Sequence, residues 1–137
     1  MKNKDYLKEI IKEVCEILNT NFEYEDEVYY ISVKTENEGF EEVSIYQTID
    51  SYGVEKIDCT VTIGPIIRNP DLIYTFLKNN FELDYGAYAL IHEDDMDVLV
   101  IVESLVADTT TADDLSAIIS YMAEVASETK GLITKSY

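Results

Sequence analysis

The chain has 137 residues, and its 28 Asp and Glu side chains against 10 Lys and Arg give a formal net charge of −18 at pH 7. This charge repels nucleic-acid phosphates and anionic lipid headgroups, so we expect neither nucleic acid nor a membrane as a partner. Hydrophobic residues make up 47% of the chain, which suffices for a core and predicts one α+β domain over residues 1–137 rather than disorder.

The first half of the chain predicts one helix followed by three strands. Apolar residues recur at three- and four-residue steps from Asp5 to Leu18, which is the period of an amphipathic helix. Three later segments are rich in β-branched and aromatic residues, with turn-forming residues between them, and therefore predict antiparallel strands. These strands are Val28–Lys34, Glu42–Ile49 and Val54–Ile66.

The second half predicts a helix, two strands and a last helix. Asn69 and Pro70 supply an N-cap and a proline at the first helical position, so a helix is expected from there to about Asn80. A capping box at Thr111–Asp114 opens the last helix, for which Gly131 is the expected C-cap. The strands are Tyr85–His92 and Met96–Val106, the second of them central because its middle is apolar on both faces.

The predicted fold class is therefore α+β, with the order α-β-β-β-α-β-β-α and helices packed on an antiparallel sheet. No apolar run is long enough for a membrane span, and the first residues do not resemble a secretion signal, so a cytoplasmic protein is expected.

Residues for catalysis are scarce. A nucleophile activated by a base usually needs a histidine, and the only one, His92, lies at the end of a predicted strand. Cys15 and Cys59 sit among apolar neighbours and are predicted to be buried small hydrophobic residues. We therefore expect no catalytic residues, and we expect that the protein is not an enzyme.

Cofactor and metal sites are likewise not expected. The five glycines are scattered and form no phosphate-binding loop. The acidic segment Glu93–Asp95 lacks the glycine and the distal glutamate of a calcium loop, so it is expected to be a solvated hairpin tip, with weak divalent binding as the alternative.

Three segments of the C-terminal half carry a family resemblance, together with the order of the elements and the acidic composition. The segments Tyr85–Leu90, Val98–Val102 and Thr109–Ala126 resemble the type III secretion chaperone-like fold, which includes the class I secretion chaperones and the YbjN-like proteins. The resemblance implies a homodimer that binds an extended segment of another protein and has no catalytic residues. It also implies dimerisation through the helix at Asn69–Asn80, with Leu72, Ile73 and Phe76 as interface residues.

The function predicted from the sequence is a non-enzymatic module that binds another protein. Eleven tyrosines favour it, because tyrosine is enriched at protein interfaces. The partner-binding residues are expected to be Tyr29, Ile31 and Val33, on a sheet face left partly uncovered; the alternative for Ile31 and Val33 is a place in the core. The alternative function is an acidic immunity or inhibitor protein that blocks a basic toxin or nuclease.

Overall fold

The computed structural model describes residues 5–136. Six antiparallel strands form one sheet in the order β1-β2-β3-β4-β6-β5, which confirms the predicted α+β class and the central place of β6. Short 3₁₀ turns follow α2 and β6, at Asn80–Glu82 and Ala107–Thr109. The elements are α1 (Asp5–Leu18), β1 (Phe22–Glu25), β2 (Val28–Lys34), β3 (Phe40–Ile49), β4 (Glu55–Ile66), α2 (Pro70–Asn79), β5 (Ala87–Glu93), β6 (Met96–Val106) and α3 (Ala112–Ser136).

Strand β1 is absent from the sequence-based prediction, which has three strands before α2 where the structure has four. It pairs with β2 across a two-residue turn at Asp26 and Glu27, with φ values of 51° and 66°. Both values lie in the left-handed region that a type I′ hairpin turn requires, and the usual signal for such a turn is Asn-Gly or Asp-Gly. Because the turn has no glycine and the strand carries two glutamates, the sequence of this segment looks like a solvated acidic cluster rather than a hairpin.

The helices of the described chain pack on one face of the sheet, which we call the covered face. On β4 the covered face carries Ile57, Cys59 and Val61, all buried in the hydrophobic core with residues of α1 and α3. Side chains of a strand alternate between faces, so Asp58 and Thr60 lie on the opposite side, the uncovered face. On β4, one face is therefore apolar and buried, and the other is polar and partly accessible.

The uncovered face is rich in hydroxyl groups. The hydroxyl-bearing side chains of this face are at least partly accessible, and cross-strand pairing aligns them in rows. Two valines of β6, Val98 and Val100, also point to this face, and both are buried, although they stand outside the core cluster. The other residues that define the face are Tyr30, Ser44, Tyr46, Thr48, Asp58, Thr60, Thr62 and Ser104.

Each edge strand of the sheet has one feature that limits pairing with another chain. Edge strand β1 has only four residues, two of them glutamates, and short charged strands discourage pairing with another chain. At the opposite edge, Asn80 caps β5: its Oδ1 accepts from the Tyr88 N–H at 2.6 Å, and its Nδ2 donates to the Tyr88 carbonyl at 3.3 Å. The backbone groups of Tyr88 are therefore not available to a further strand.

Helix α3 begins as predicted but ends later. The Asp114 N–H donates to Thr111 Oγ1 at 3.1 Å, and the Thr111 N–H donates to Asp114 Oδ2 at 3.4 Å, which confirms the capping box. The expected C-cap at Gly131 is wrong, because the helix continues to Ser136. Ile133 packs against the core beyond the glycine, and such packing outweighs the cost of about 1 kcal/mol for glycine in a helix.

Candidate interaction surface

The residues predicted to bind a partner are in the core. Tyr29, Ile31 and Val33 alternate onto the covered face of β2 and are buried there. The ring of Tyr29 also lies 4.6 Å from that of Tyr24 and 5.6 Å from that of Phe22, measured between centroids. The expectation that these residues stay partly uncovered is wrong, and the alternative of a core position is correct for Ile31 and Val33. The accessible side chains of this strand segment are Tyr30, which is half-buried, and Ser32, which is exposed.

The residues predicted to form a dimer interface lie on α2 and are half-buried. Ile73 and Phe76 pack against the core, and the Phe76 ring lies 5.0 Å from the Tyr88 ring. Leu72 is also half-buried. The structure thus places all three on one helix, but the apolar side chains that α2 leaves open to solvent are different ones.

The exposed apolar residues of this region are Tyr74, Leu77 and Phe81, which we call the α2 patch. They are 63%, 65% and 96% exposed, respectively. Their spacing of three and four residues aligns them along one side of α2 and its 3₁₀ extension. The spacing of Tyr74, Leu77 and Phe81 is visible in the sequence, but α2 has apolar residues on more than one side. Only the packing of the helix shows which of these sides remains exposed to solvent.

Local sequence explains why α2 forms at this place. The Asn69 side chain accepts from the N–H groups of Asp71 at 3.0 Å and Leu72 at 3.4 Å, which confirms the predicted N-cap. Pro70 occupies the first helical position, where its missing N–H costs nothing. At the other end Lys78 lies in the last turn, with its Nζ 5.7 Å from the centroid of the Tyr74 ring.

A groove of about 270 Å³ separates α2 from β5 and β6 next to the α2 patch. Leu77 belongs to both features, and the other walls are almost entirely apolar. Pockets for drug-sized ligands usually measure roughly 300–1,000 Å³, so this groove is the size for one or two side chains. Its principal lining residues are Ile66, Ile73, Phe76, Leu77, Leu90 and Leu99.

The titratable groups nearby form an ion-pair network. Arg68, the only arginine of the chain, donates from Nε to Asp97 Oδ2 at 2.9 Å, and His92 Nδ1 lies 3.3 Å from Asp97 Oδ1. The hydrogen bond from Arg68, followed by that from His92, lowers the pKa of Asp97. His92 therefore engages a carboxylate at the rim of the sheet.

The two cysteines are buried, as predicted. Desolvation raises the pKa of Cys15, and it raises the pKa of Cys59 to about 12, so neither thiol is activated at neutral pH. Among residues 5–136, no group of three or more His, Cys, Asp and Glu side chains is arranged to hold a metal ion. No helix in the same range is long and apolar enough to cross a membrane.

The sequence matches no protein-family model and no curated protein sequence. The solved structures that share the fold include the following two. The type III secretion chaperone SycH of Yersinia pestis, crystallised with a stable fragment of YscM2, superposes with a TM-score of 0.57 at 14% identity, over 91% of this chain and 97% of SycH. YbjN of E. coli superposes with a TM-score of 0.51 at 12% identity, over 91% of this chain and 86% of YbjN. This chain therefore has the fold of the type III secretion chaperones and of YbjN, as the sequence resemblance predicted.

Proposed function

We propose that this protein is a non-enzymatic protein-binding module that forms a homodimer through α2 and binds a segment of a partner protein. The observation that carries the proposal is the α2 patch, where three large apolar side chains are exposed next to an apolar groove. Contiguous exposed apolar surface of this kind marks interaction sites in proteins that are otherwise well covered by charge.

The size and chemistry of the groove support a protein as the ligand. The groove offers little polar chemistry with which to orient a small molecule, and it accommodates single apolar side chains. Aromatic and aliphatic residues that insert into such grooves are the usual anchors of protein interfaces. The fold gives further support, because SycH, which shares it, was crystallised with a fragment of a partner protein.

Light scattering coupled to gel filtration tests the dimer at ~10 μM protein and ~150 mM salt, where surface charges are screened. We expect the wild type at twice the monomer mass of 15.6 kDa. The double variant Tyr74→Ser/Leu77→Ser is expected at the monomer mass. A control of the same residue classes, Tyr52→Ser/Ile49→Ser, removes two apolar residues near the β3–β4 turn that are 92% and 59% exposed, and it is expected to remain a dimer. A monomeric wild type contradicts dimerisation through α2.

The net charge of −18 favours a second candidate, an acidic inhibitor of a basic toxin or nuclease. Surface plasmon resonance against the protein encoded beside this chain's gene separates the two functions between ~50 and ~500 mM salt. Binding through apolar side chains is expected to persist at high salt. An association rate that starts on the order of 10⁸ M⁻¹s⁻¹ and collapses across that range would instead establish the inhibitor.

A further inference from the structure

One carboxylate stands in the middle of the uncovered face. Asp58 lies on β4, and its direct cross-strand neighbours are Tyr46 on β3 and Ser104 on β6. Aspartate is disfavoured in strands, and a strand flanked by partners on both sides is an uncommon place for it. The residues around it on this face are mostly hydroxyl-bearing, tyrosine and small apolar side chains, and the face also carries the charged residues Lys34, Glu42 and Lys56.

Two hydroxyl groups fix the orientation of this carboxylate. Ser104 Oγ donates to Asp58 Oδ1 at 2.5 Å, and Thr48 Oγ1 donates to Asp58 Oδ2 at 2.8 Å. Each carboxylate oxygen can accept two hydrogen bonds, so each retains one acceptor position. The result is a pre-oriented carboxylate with two remaining acceptor positions.

Asp58 has no cation of its own within salt-bridge distance in the part of the chain that the structure describes. The ion pairs found there involve other carboxylates, namely Glu9, Glu41 and Asp97. Lys56 lies two residues away on the same face, but no ion pair between it and Asp58 is found among the described residues. The side-chain groups that donate hydrogen bonds to the Asp58 carboxylate, the hydroxyls of Thr48 and Ser104, are thus both neutral.

We propose that Asp58 anchors an arginine side chain of a basic partner segment that docks on the uncovered face. The proposal rests on the proposed function, binding of another protein, and adds to the salt-resistant apolar contacts of the α2 patch one salt-dependent contact on a separate surface. Charge complementarity identifies the occupant, because a net charge of −18 attracts basic segments and the site itself presents a fixed carboxylate.

The geometry favours arginine over lysine. A guanidinium is planar and presents a fork of N–H donors that matches the two free acceptor positions of a carboxylate, whereas an ammonium is a single point charge. Tyr46, directly across from Asp58 on the same face, adds an aromatic ring on which a guanidinium can stack. A divalent cation fits less well, because calcium takes six to eight oxygen ligands and this site offers one carboxylate.

NMR titration with short synthetic peptides tests the site. The probes are acetyl-Gly-Thr-Arg-Thr-Gly-amide and its lysine and citrulline analogues, the last being a neutral isostere of arginine. We expect the arginine peptide to shift the amide signals of Thr48, Asp58 and Ser104, the lysine peptide to bind several-fold more weakly, and the citrulline peptide not to bind. Equal binding of the lysine and arginine peptides, or shifts centred on the acidic hairpin turns, would overturn the proposal.

Two variants and a control complete the test. Asp58→Asn preserves the shape of the side chain and is expected to weaken the arginine peptide roughly tenfold, while Asp95→Asn in the β5–β6 turn removes the same charge and is expected to leave its affinity unchanged. If Asp58→Asn fails to fold, Thr48→Val/Ser104→Ala retains the carboxylate without its oriented donors and is expected to lose affinity several-fold. Unchanged affinity in either folded variant contradicts the site. The peptides also bind a monomer, so a failed dimer test leaves this result independent.

Discussion

The two faces of the sheet use the same strands for different purposes. On β4, the residues Ile57, Cys59 and Val61 are buried against helices, while Asp58, Thr60 and Thr62 between them remain accessible to water. The covered face contributes burial of apolar area, which is the main source of folding free energy. On β4 the uncovered face contributes less burial, and its polar side chains remain accessible. Because side chains alternate along a strand, one set of residues stabilises the fold and the set between them remains available for binding.

Thiol chemistry is the sharpest way to test this separation. Cys59 is fully buried on the covered face, and desolvation raises its pKa to about 12. In the variant Thr62→Cys, we expect the new thiol on the uncovered face to react with iodoacetamide at least about a thousandfold faster than Cys59, because Cys59 reacts only when the core opens. Mass spectrometry of digested samples gives both rates. In concentrated urea the two thiols are expected to react at similar rates. Similar reaction rates without denaturant would contradict the assignment of the two faces.

A pair of valine substitutions measures the same difference as stability. Val61 is fully buried on the covered face, whereas Val102 is half-buried on the uncovered face of the neighbouring strand. Val61→Ala is expected to lower the free energy of unfolding by about 2–3 kcal/mol, through lost burial and a cavity, and Val102→Ala by about 1 kcal/mol or less. Urea denaturation followed by circular dichroism measures both. If both variants lose the same free energy of unfolding, Val102 is as deeply buried as Val61, and the assignment of Val102 to the less buried face is contradicted.

An ion pair at the margin of the covered face gives the next effect in size. Lys130 Nζ on α3 lies 2.6 Å from Glu41 Oε1 on β3, and the Glu41 side chain is only 9% exposed. Lys130→Met leaves that carboxylate buried without its cation, and we expect a loss of about 1–2 kcal/mol, reduced because Lys130 itself is 43% exposed. The control Lys12→Met breaks an exposed pair with Glu9 and is expected to cost less than about 0.5 kcal/mol. Adding Glu41→Gln to Lys130→Met should recover part of the loss.

The smallest effect concerns the exposed pair at the rim of the sheet. The pKa of Asp97 is lowered from 3.8, first by Arg68, so this carboxylate stabilises the fold above its unfolded pKa and loses that contribution as pH falls through the folded value. Arg68→Gln is expected to raise the pKa of Asp97 and to reduce stability slightly at pH 7. The difference from the wild type should vanish in strong acid. Carboxyl ¹³C titration by NMR measures the pKa, and an unchanged value in Arg68→Gln would contradict the interaction.

Most of the fold could be predicted from local sequence patterns. The bounds of α1, β2 and β6 agree with the prediction, because periodicity along one element depends on that element alone. Strand β1 could not be predicted, since its turn uses Asp26 and Glu27 in a left-handed conformation that glycine or asparagine normally signals. The end of α3 was misplaced because packing of Ile133 overrides the glycine before it.

The candidate surfaces were predicted less well than the elements that carry them. The sequence correctly indicated that α2 bears apolar residues, but the expected interface residues Ile73 and Phe76 turn toward the core, while Tyr74 and Leu77 face solvent. On β2, the alternating residues Tyr29, Ile31 and Val33 were predicted to bind a partner, but they are buried beneath the helices. The assignment on β2 was wrong because a pattern shows that an element has two sides but not which side is covered, whereas the interface residues on α2 stay a prediction.

The sequence by itself determined the element types, the acidic surface and the alternation of the strands, because these depend on residues close together in the chain. Only the tertiary structure decided which face the helices cover, which side of α2 remains exposed, and that Thr48, Asp58 and Ser104 meet on three adjacent strands. The physical reason is that such contacts join residues far apart in sequence, as Asp58 and Ser104 are, and strand register and helix docking fix them only when the core forms.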